Sequence, residues 1–280
     1  MNTFKSGSKW RKWDLHLHTP ETKLNDQYVS VDGADVWDTF CEKIETSDVA
    51  VFGITDYFSA ANYFRFLEKF RNKYPDSTKV FFPNIEFRIN SKNHNGDHIQ
   101  VHVLFSNEKA TTDKLANFFT RLKLVSTDDE NLTNKYCTET DLASVTYQKA
   151  MVKIDALCAA LKADFAEEEY LIIGLATGYG SLRPASGDGR GAEYAKEIDK
   201  ICALFFGNRS NTDFFLNKIE GRSQYKLKPK SVITGCDSHS FIVLDKKLGN
   251  CFEERDESGE ITDYSEVTWI KANPTFEGLR

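Results

Sequence analysis

The stretch WDLHLHTP, from Trp13 to Pro20, places two histidines at alternate positions of an apolar segment, directly behind an aspartate. Side chains at positions i and i+2 of a β-strand project to the same side, so His16 and His18 are expected to point at one spot. The whole chain contains only 6 histidines. Two convergent neutral imidazoles favour a bound metal ion. This stretch therefore predicts a metal site on an early strand.

The composition is that of a globular protein with a sizeable core. Hydrophobic residues make up 40% and charged residues 28% of the 280 positions, which is typical of globular chains. This length fits a single α/β barrel or two ordinary domains. Because no repeat, low-complexity tract or long linker interrupts the sequence, we expect one domain over residues 1–280.

The charge balance argues against some classes of partner. The formal net charge of −6 gives no general basic field, which argues against a general DNA coat protein. Any nucleic-acid contact would have to come from local patches or from another chain segment. No segment reaches the ~20 apolar residues of a membrane span, and we expect a cytoplasmic protein with no membrane partner. The six cysteines form no CxxC pair, which favours scattered reduced thiols.

Segments with strand periodicity alternate with segments of helical periodicity. Strands are predicted over 12–18, 49–57, 79–89, 98–106 and 170–177 and again from 231, and helices over 36–45, 59–74, 113–124, 142–162 and 192–206. This order predicts an α/β fold of the β/α-barrel type, in which ligands gather at the carboxyl ends of the strands. Asp56, Glu86, Asp237 and His239 stand near such ends.

Together these polar residues form a candidate metal constellation. Mixed histidine and carboxylate ligands suit Zn, Mn or Fe rather than Ca or Mg, and such an ion can activate water for phosphoester hydrolysis. A lone histidine on an apolar strand is more often a hydrogen-bonded core residue, but two ordered pairs, HLH and DSH, favour the metal. The candidate residues are His16, His18, Asp56, Glu86, His102, Asp237 and His239.

The same motifs resemble the polymerase and histidinol phosphatase (PHP) superfamily of metal-dependent phosphoesterases. DLHLHT is similar to its first motif, GITDY to its second, PNIEF to its glutamate motif, VHVLF to its histidine motif and TGCDSHS to its final motif, in the family's order. The resemblance implies a distorted TIM-like barrel of seven β/α units with up to three metals. It implies that His16, His18, Glu86 and Asp237 surround one ion, that Glu86 bridges to a second ion held by His102, and that His239 belongs to a third.

The sequence departs from the family pattern at several ligand positions. Tyr57 stands where the second motif usually has a histidine. The segment ETKLN (21–25) lacks the further histidine that usually follows the first pair. Ala176 and Thr177 occupy the region where the family has a late-strand histidine. We therefore expect one or two divalent ions, Zn or Mn, with Fe as a further choice. His94 and His98 either replace missing ligands or are solvated hairpin residues.

A narrower resemblance concerns large bacterial ATPases related to AAA and SMC-type proteins, whose N-terminal PHP domains are proposed to act on nucleic acid. Tyr57 in the second motif, FFGNRSNTDFFL (205–216) and TWIKANPTFEGLR (268–280) carry it. It implies that the chain is one domain of a longer protein that continues into an ATPase. These residues contain no P-loop motif, so ATP hydrolysis is not assigned to them.

The resulting hypothesis is a metal-dependent phosphoesterase with a phosphate-containing substrate, preferably a nucleotide or nucleic-acid end. His239 is expected to position the substrate or protonate the leaving oxygen, and Arg183 and Arg190, in the glycine-rich loop 178–191, to bind phosphate or simply to lie on the surface. Asp56 and Arg183 are further candidate catalytic groups, and Asp14 and Tyr57 are expected to support the metal ligands. Asp14 and Asp56 either orient imidazoles or, for Asp56, cap the next helix. The alternatives are a regulatory or scaffolding domain that has lost turnover and a small-molecule phosphomonoesterase.

Overall fold

The computed structural model describes residues 9–30, 32–93, 95–125, 134–183, 191–219 and 226–280. The strands in these residues are β1 (Trp10–His18), β2 (Val49–Tyr57), β3 (Val80–Lys92), β4 (His98–Phe105), β5 (Tyr170–Leu175), β6 (Leu204–Phe206), β7 (Val232–Ile233), β8 (Phe252–Arg255), β9 (Ile261–Ser265) and β10 (Thr268–Lys271). The helices are α1 (Val36–Thr46), α2 (Ala61–Lys73), α3 (Thr112–Arg121), α4 (Glu139–Leu142), α5 (Ile154–Asp164), α6 (Gly191–Ile201), α7 (Arg209–Phe215), α8 (Phe241–Lys247) and α9 (Phe276–Leu279).

The chain folds into two compact units. The first unit comprises Met1–Asp56, Ala61–Asn84 and Thr234–Arg280, and the second comprises Tyr57–Ala60 and Ile85–Ile233. Strand β3 contributes its first residues to the first unit and the remainder to the second. The two units are described separately below.

In the first unit, β1 lies between β10 and β2. It pairs antiparallel with β10 and parallel with β2, and β3 is the next neighbour of β2. Gly53 permits the close approach of β2 to β1, because a Cβ atom at this position would lie 2.2 Å from the carbonyl oxygen of Leu15. From Trp13 onward every residue of β1 is buried. The strand that carries the two histidines is therefore enclosed by its neighbours.

Helix α1 shows why this unit forms from its sequence. Asp35 caps the helix, since its carboxylate accepts the backbone N–H of Asp38 at 2.9 Å. Its buried residues recur at helical spacing and face the core of the unit. They are Trp37, Phe40, Cys41 and Ile44. Phe66 and Phe70 of α2 join the same core, so both helices pack on it through an apolar stripe.

The second unit contains a mixed arrangement of strands. Strand β4 neighbours β3 and pairs antiparallel with β5, whereas β5, β6 and β7 run parallel. An aromatic cluster packs α3 and the end of α5 against β4, since the ring of Phe118 lies 5.6 Å from that of Phe105 and 5.9 Å from that of Phe165. Edge-to-face contacts of this kind add to the stability that burial provides.

The predicted α/β class is confirmed, since each unit combines helices with parallel strands, although β1 and β10 in the first unit and β4 and β5 in the second pair antiparallel. Two predicted helices are wrong in extent. The segment predicted as one helix over 142–162 is interrupted between α4 and α5, and the end of the segment 192–206 forms strand β6. The assignment of residues 1–280 to one phosphoesterase domain stays a prediction. Among the described residues, no helix has the length and apolar character needed to cross a membrane.

Candidate metal centre

His16 and His18 converge as their alternation on β1 predicts. Their Nε2 atoms lie 3.3 Å apart, and the two side chains are almost completely buried. Burial follows from the position of β1 between two neighbouring strands. A pair of imidazoles at this separation is arranged to share either a proton or a cation.

Asp237, which lies near the other end of the chain, completes a group of three side chains that could bind a metal ion. Its Oδ1 atom lies 3.2 Å from Nε2 of His16 and 3.6 Å from Nε2 of His18. The backbone N–H of Asp237 donates to the carbonyl oxygen of His16 at 2.9 Å, which fixes the loop on β1. Asp237 has a φ of +46°, a conformation that is unfavourable for most residues and concentrates at functional sites.

Gly235 allows this loop to reach β1. A Cβ atom at position 235 would lie 2.6 Å from Cβ of His16 and 2.9 Å from Oδ1 of Asp14, closer than such contacts permit. The absence of a side chain therefore has a specific role in bringing the DSH segment to the HLH segment.

The separations of the three donor atoms fit a small divalent ion. In a tetrahedral site with metal–ligand bonds of ~2.0–2.1 Å, neighbouring ligand atoms are about 3.3 Å apart. The observed separations of 3.2, 3.3 and 3.6 Å lie close to that value. Two imidazole nitrogens and one carboxylate oxygen are ligands that suit Zn, Mn or Fe. These three residues therefore fit the predicted ion in ligand type and in spacing.

His239 lies beside the same carboxylate. Its Nε2 atom is 3.5 Å from Oδ1 of Asp237, and its ring stacks on that of His18 with centroids 4.1 Å apart. His18, Asp237 and His239 each offer a ligand atom within 4.8 Å of the others. The resemblance assigns His239 to a separate ion, whereas the structure places it against two residues of the first cluster.

Asp14 acts on the backbone around the cluster. Its carboxylate accepts the backbone N–H of Cys236 at 3.0 Å and that of His16 at 3.2 Å. Burial raises the pKa of Asp14 to about 6, and the hydrogen bonds from Cys236 and His16 oppose that rise. These two backbone contacts hold the loop that carries Asp237 on β1, and the predicted role of Asp14 in orienting an imidazole stays a prediction.

The thiol of Cys236 shows no sign of activation. Burial, followed by the nearby carboxylate of Asp14, raises the pKa of this thiol well above its ordinary range. A buried thiol with a raised pKa is inert. Packing at the end of the strand, as the sequence suggests, accounts for this residue.

Asp56 is connected to His18 by hydrogen bonds through Thr22, a residue that the sequence did not point to. Nδ1 of His18 lies 3.1 Å from the hydroxyl of Thr22, and that hydroxyl donates to Oδ1 of Asp56 at 3.0 Å. Asp56 also accepts the backbone N–H of Lys23 at 2.9 Å and the side-chain amide of Asn62 at 2.7 Å. Thr22 gives no sequence signal of this role, since it lies in the polar loop after β1.

Glu86 and His102 lie in the second unit. Both side chains are buried, and Oε2 of Glu86 is 3.9 Å from Nε2 of His102. The ring of His102 also makes an edge contact with Phe206, with centroids 4.9 Å apart. Tyr57 is the half-buried last residue of β2. The predicted metal roles of Glu86 and His102, and the predicted supporting role of Tyr57, stay predictions.

Arg183 lines a polar cavity of about 570 Å³ in the second unit, together with Thr177, Tyr179 and Asn211. Its guanidinium carbon lies 5.1 Å from the centre of the Phe214 ring. Arg190 and His94 fall outside the described residues.

His98 begins β4 and is half-buried, and both alternatives for this residue stay open.

Comparisons with known proteins add little. No family model matches the sequence, and no curated protein matches it. A solved structure of a candidate metal-dependent phosphoesterase from Bifidobacterium adolescentis is similar, with 11% sequence identity and a TM-score of 0.44 over 83% of this chain and 89% of that chain. A likeness at this level supports no conclusion about function, and the resemblance to the N-terminal domains of ATPases stays a prediction.

Proposed function

We propose that this chain is a metal-dependent phosphoesterase whose ion is held by His16, His18 and Asp237. The observation that carries the proposal is the convergence of their three donor atoms at separations of 3.2 to 3.6 Å. A structural zinc site usually closes with four protein ligands, whereas a catalytic site keeps a position open. The exposed side of Asp237, whose side chain is 58% accessible, gives a substrate a path to the cluster.

A divalent ion bound here would lower the pKa of water to ~7 and polarise a phosphoryl oxygen. The chain supplies the remaining functions. In this proposal His239, which lies beside Asp237, acts as the general acid that donates a proton to the leaving oxygen of the ester. Asp56, which the sequence also offers as a catalytic group, acts in this proposal as a positioning residue, since it accepts hydrogen bonds from Thr22 and Lys23.

The substrate class in this proposal is a phosphoester. A nucleotide or nucleic-acid end is preferred from the sequence resemblance alone, and the net charge of −6 implies that affinity for a nucleic acid would need another domain, such as the predicted ATPase. Arg183 and Arg190 stay the predicted phosphate-binding residues, because a guanidinium pairs two phosphate oxygens at once.

The test combines metal content with hydrolysis. Purified protein, loaded with Zn or Mn, is analysed by mass spectrometry and assayed with bis(p-nitrophenyl) phosphate and with p-nitrophenyl phosphate. We expect His16→Ala and Asp237→Asn to lose both the ion and turnover. Asp245→Asn is the matched control, since Asp245 is an exposed carboxylate of the same unit that pairs with Lys43.

The outcomes separate the alternatives. Faster cleavage of the diester supports a nuclease-like enzyme, and preference for the monoester supports a small-molecule phosphatase. A stoichiometric ion without turnover of either substrate identifies a regulatory or scaffolding domain. Unchanged activity in His16→Ala would overturn the proposed active site.

A further inference from the structure

We infer that Thr22 is a positioning residue that sets the tautomer of His18 and so presents its Nε2 lone pair to a metal ion. The inference rests on the proposed metal site but not on hydrolysis. It concerns a chain of three side chains in the first unit, His18, Thr22 and Asp56. Nothing in the sequence motifs assigns a role to Thr22.

The direction of the hydrogen bonds follows from the groups involved. A threonine hydroxyl has one proton to donate and two lone pairs that accept. Asp56 receives hydrogen bonds from Thr22, from the backbone of Lys23 and from Asn62, an arrangement that suits an ionised carboxylate, which can only accept. Thr22 therefore donates its only hydroxyl proton to Asp56.

This hydrogen bond determines which ring nitrogen of His18 carries the hydrogen. Because the proton of Thr22 points to Asp56, its oxygen accepts at the 3.1 Å contact with Nδ1 of His18, and Nδ1 must carry the hydrogen. In a neutral imidazole the other nitrogen, Nε2, then holds a lone pair. This is the atom that faces Nε2 of His16 and Oδ1 of Asp237. A group that accepts a hydrogen bond from the other ring nitrogen of a ligating histidine fixes the orientation of the ring and raises its basicity.

The surroundings of His18, Thr22 and Asp56 favour a fixed chain of hydrogen bonds, which we call the Thr22 relay. Thr22 is 5%, Asp56 3% and His18 0% exposed, so water does not compete for these hydrogen bonds. The loop is also held from outside the relay, since the backbone N–H of Thr22 donates to the carbonyl oxygen of Thr19 at 3.2 Å. Thr22→Val therefore removes the hydroxyl from a loop that keeps an independent anchor.

The test uses ¹⁵N NMR of the imidazole nitrogens in the metal-free protein at about pH 8.5, about two units above the ordinary histidine pKa. His18→Gln assigns the signals. We expect hydrogen on Nδ1 of His18 in the wild type and in Thr22→Ser, and a gain of the Nε2–H form in Thr22→Val. Zinc affinity, measured with a competing chelator, should fall 10- to 100-fold in Thr22→Val and recover in Thr22→Ser.

A matched control separates positioning from loss of a buried hydroxyl. Thr55 is also fully buried, and its hydroxyl accepts the backbone N–H of Leu17 at 3.2 Å. Thr55→Val should destabilise the fold without changing the tautomer of His18. A wild type with hydrogen on Nε2 or on both nitrogens, or a Thr22→Val variant with unchanged tautomer, would overturn the inference. If the wild type binds no zinc, the proposed function fails, while the tautomer comparison still decides the role of Thr22.

Discussion

Nε2 of His16 lies 3.2 Å from Oδ1 of Asp237, although these residues belong to the first strand and to a loop near the end of the chain. This contact depends on two backbone features of that loop, the close approach of Gly235 to β1 and the hydrogen bond from the N–H of Asp237 to the carbonyl oxygen of His16. The metal hypothesis required the HLH and DSH segments to lie close enough for their side chains to bind one ion. The structure brings His16, His18 and Asp237 to such distances, so metal binding by these residues can be tested.

Metal binding should stabilise the folded chain. An ion that binds the native state at about 100 times its Kd adds ~2.7 kcal/mol, and we expect Zn or Mn to raise the Tm by roughly 5–10 °C. The measurement is differential scanning calorimetry with added metal and with chelator. Asp237→Asn should lose this increase, whereas Asp245→Asn should keep it. An equal increase in Asp237→Asn would place the bound ion elsewhere.

The ion pairs of Asp263 should give a measurable acid transition. Hydrogen bonds from Lys246 and Lys247 hold the pKa of Asp263 at about 2, against an ordinary value of ~3.9. A carboxylate with a lowered pKa contributes stability that is present above about pH 4 and is lost as the pH falls through about 2. We expect an NMR titration midpoint near 2 for Asp263. We also expect the difference in stability between wild type and Asp263→Asn to diminish over the same window.

Much of the candidate metal centre can be predicted from the sequence because short-range patterns locate its residues. Alternation on one strand places His16 and His18 on the same side, and a polar segment after an apolar one locates Asp237 and His239. The Thr22 relay has no local signal. It depends on how the loop after β1 turns, with Glu21 at a φ of 60° and Asn25 at 59°, and such positive φ values are not encoded by residue type alone.

Strand β6 illustrates the same limit in the fold. Its three residues continue an apolar run from helix α6, so periodicity cannot separate the two elements. Tertiary pairing decides the outcome, because Phe205 and Phe206 form ladders with both β5 and β7. The interruption of the helix predicted over 142–162 has a comparable origin, since Val152 is in a bridge with Ile89 of β3.

Thiol reactivity should follow burial. Of the six cysteines, Cys251 is exposed, Cys158 is intermediate and the others are buried, and burial raises the pKa of Cys41 to about 11. We expect Ellman's reagent at about pH 8 to label Cys251 in a fast phase that Cys251→Ser removes. Unfolding in guanidinium should expose the remaining thiols. A second fast thiol in the variant, identified as Cys41 by peptide mapping, would contradict the packing of α1 described above.

Gly235→Ala should separate the two halves of the metal centre. The added Cβ would lie 2.6 Å from Cβ of His16, so the DSH loop must move away from β1 and carry Asp237 with it. Overpacking costs typically 1–3 kcal/mol, and we expect a loss of that order in stability together with weakened zinc binding. Gly259→Ala is the control, because no atom lies within 4 Å of its Cβ position, although Gly259 itself has a φ of +85°. The control should lose some stability through backbone strain and keep its zinc affinity. Equal zinc affinity in both variants would show that the close approach at Gly235 does not position the ligands.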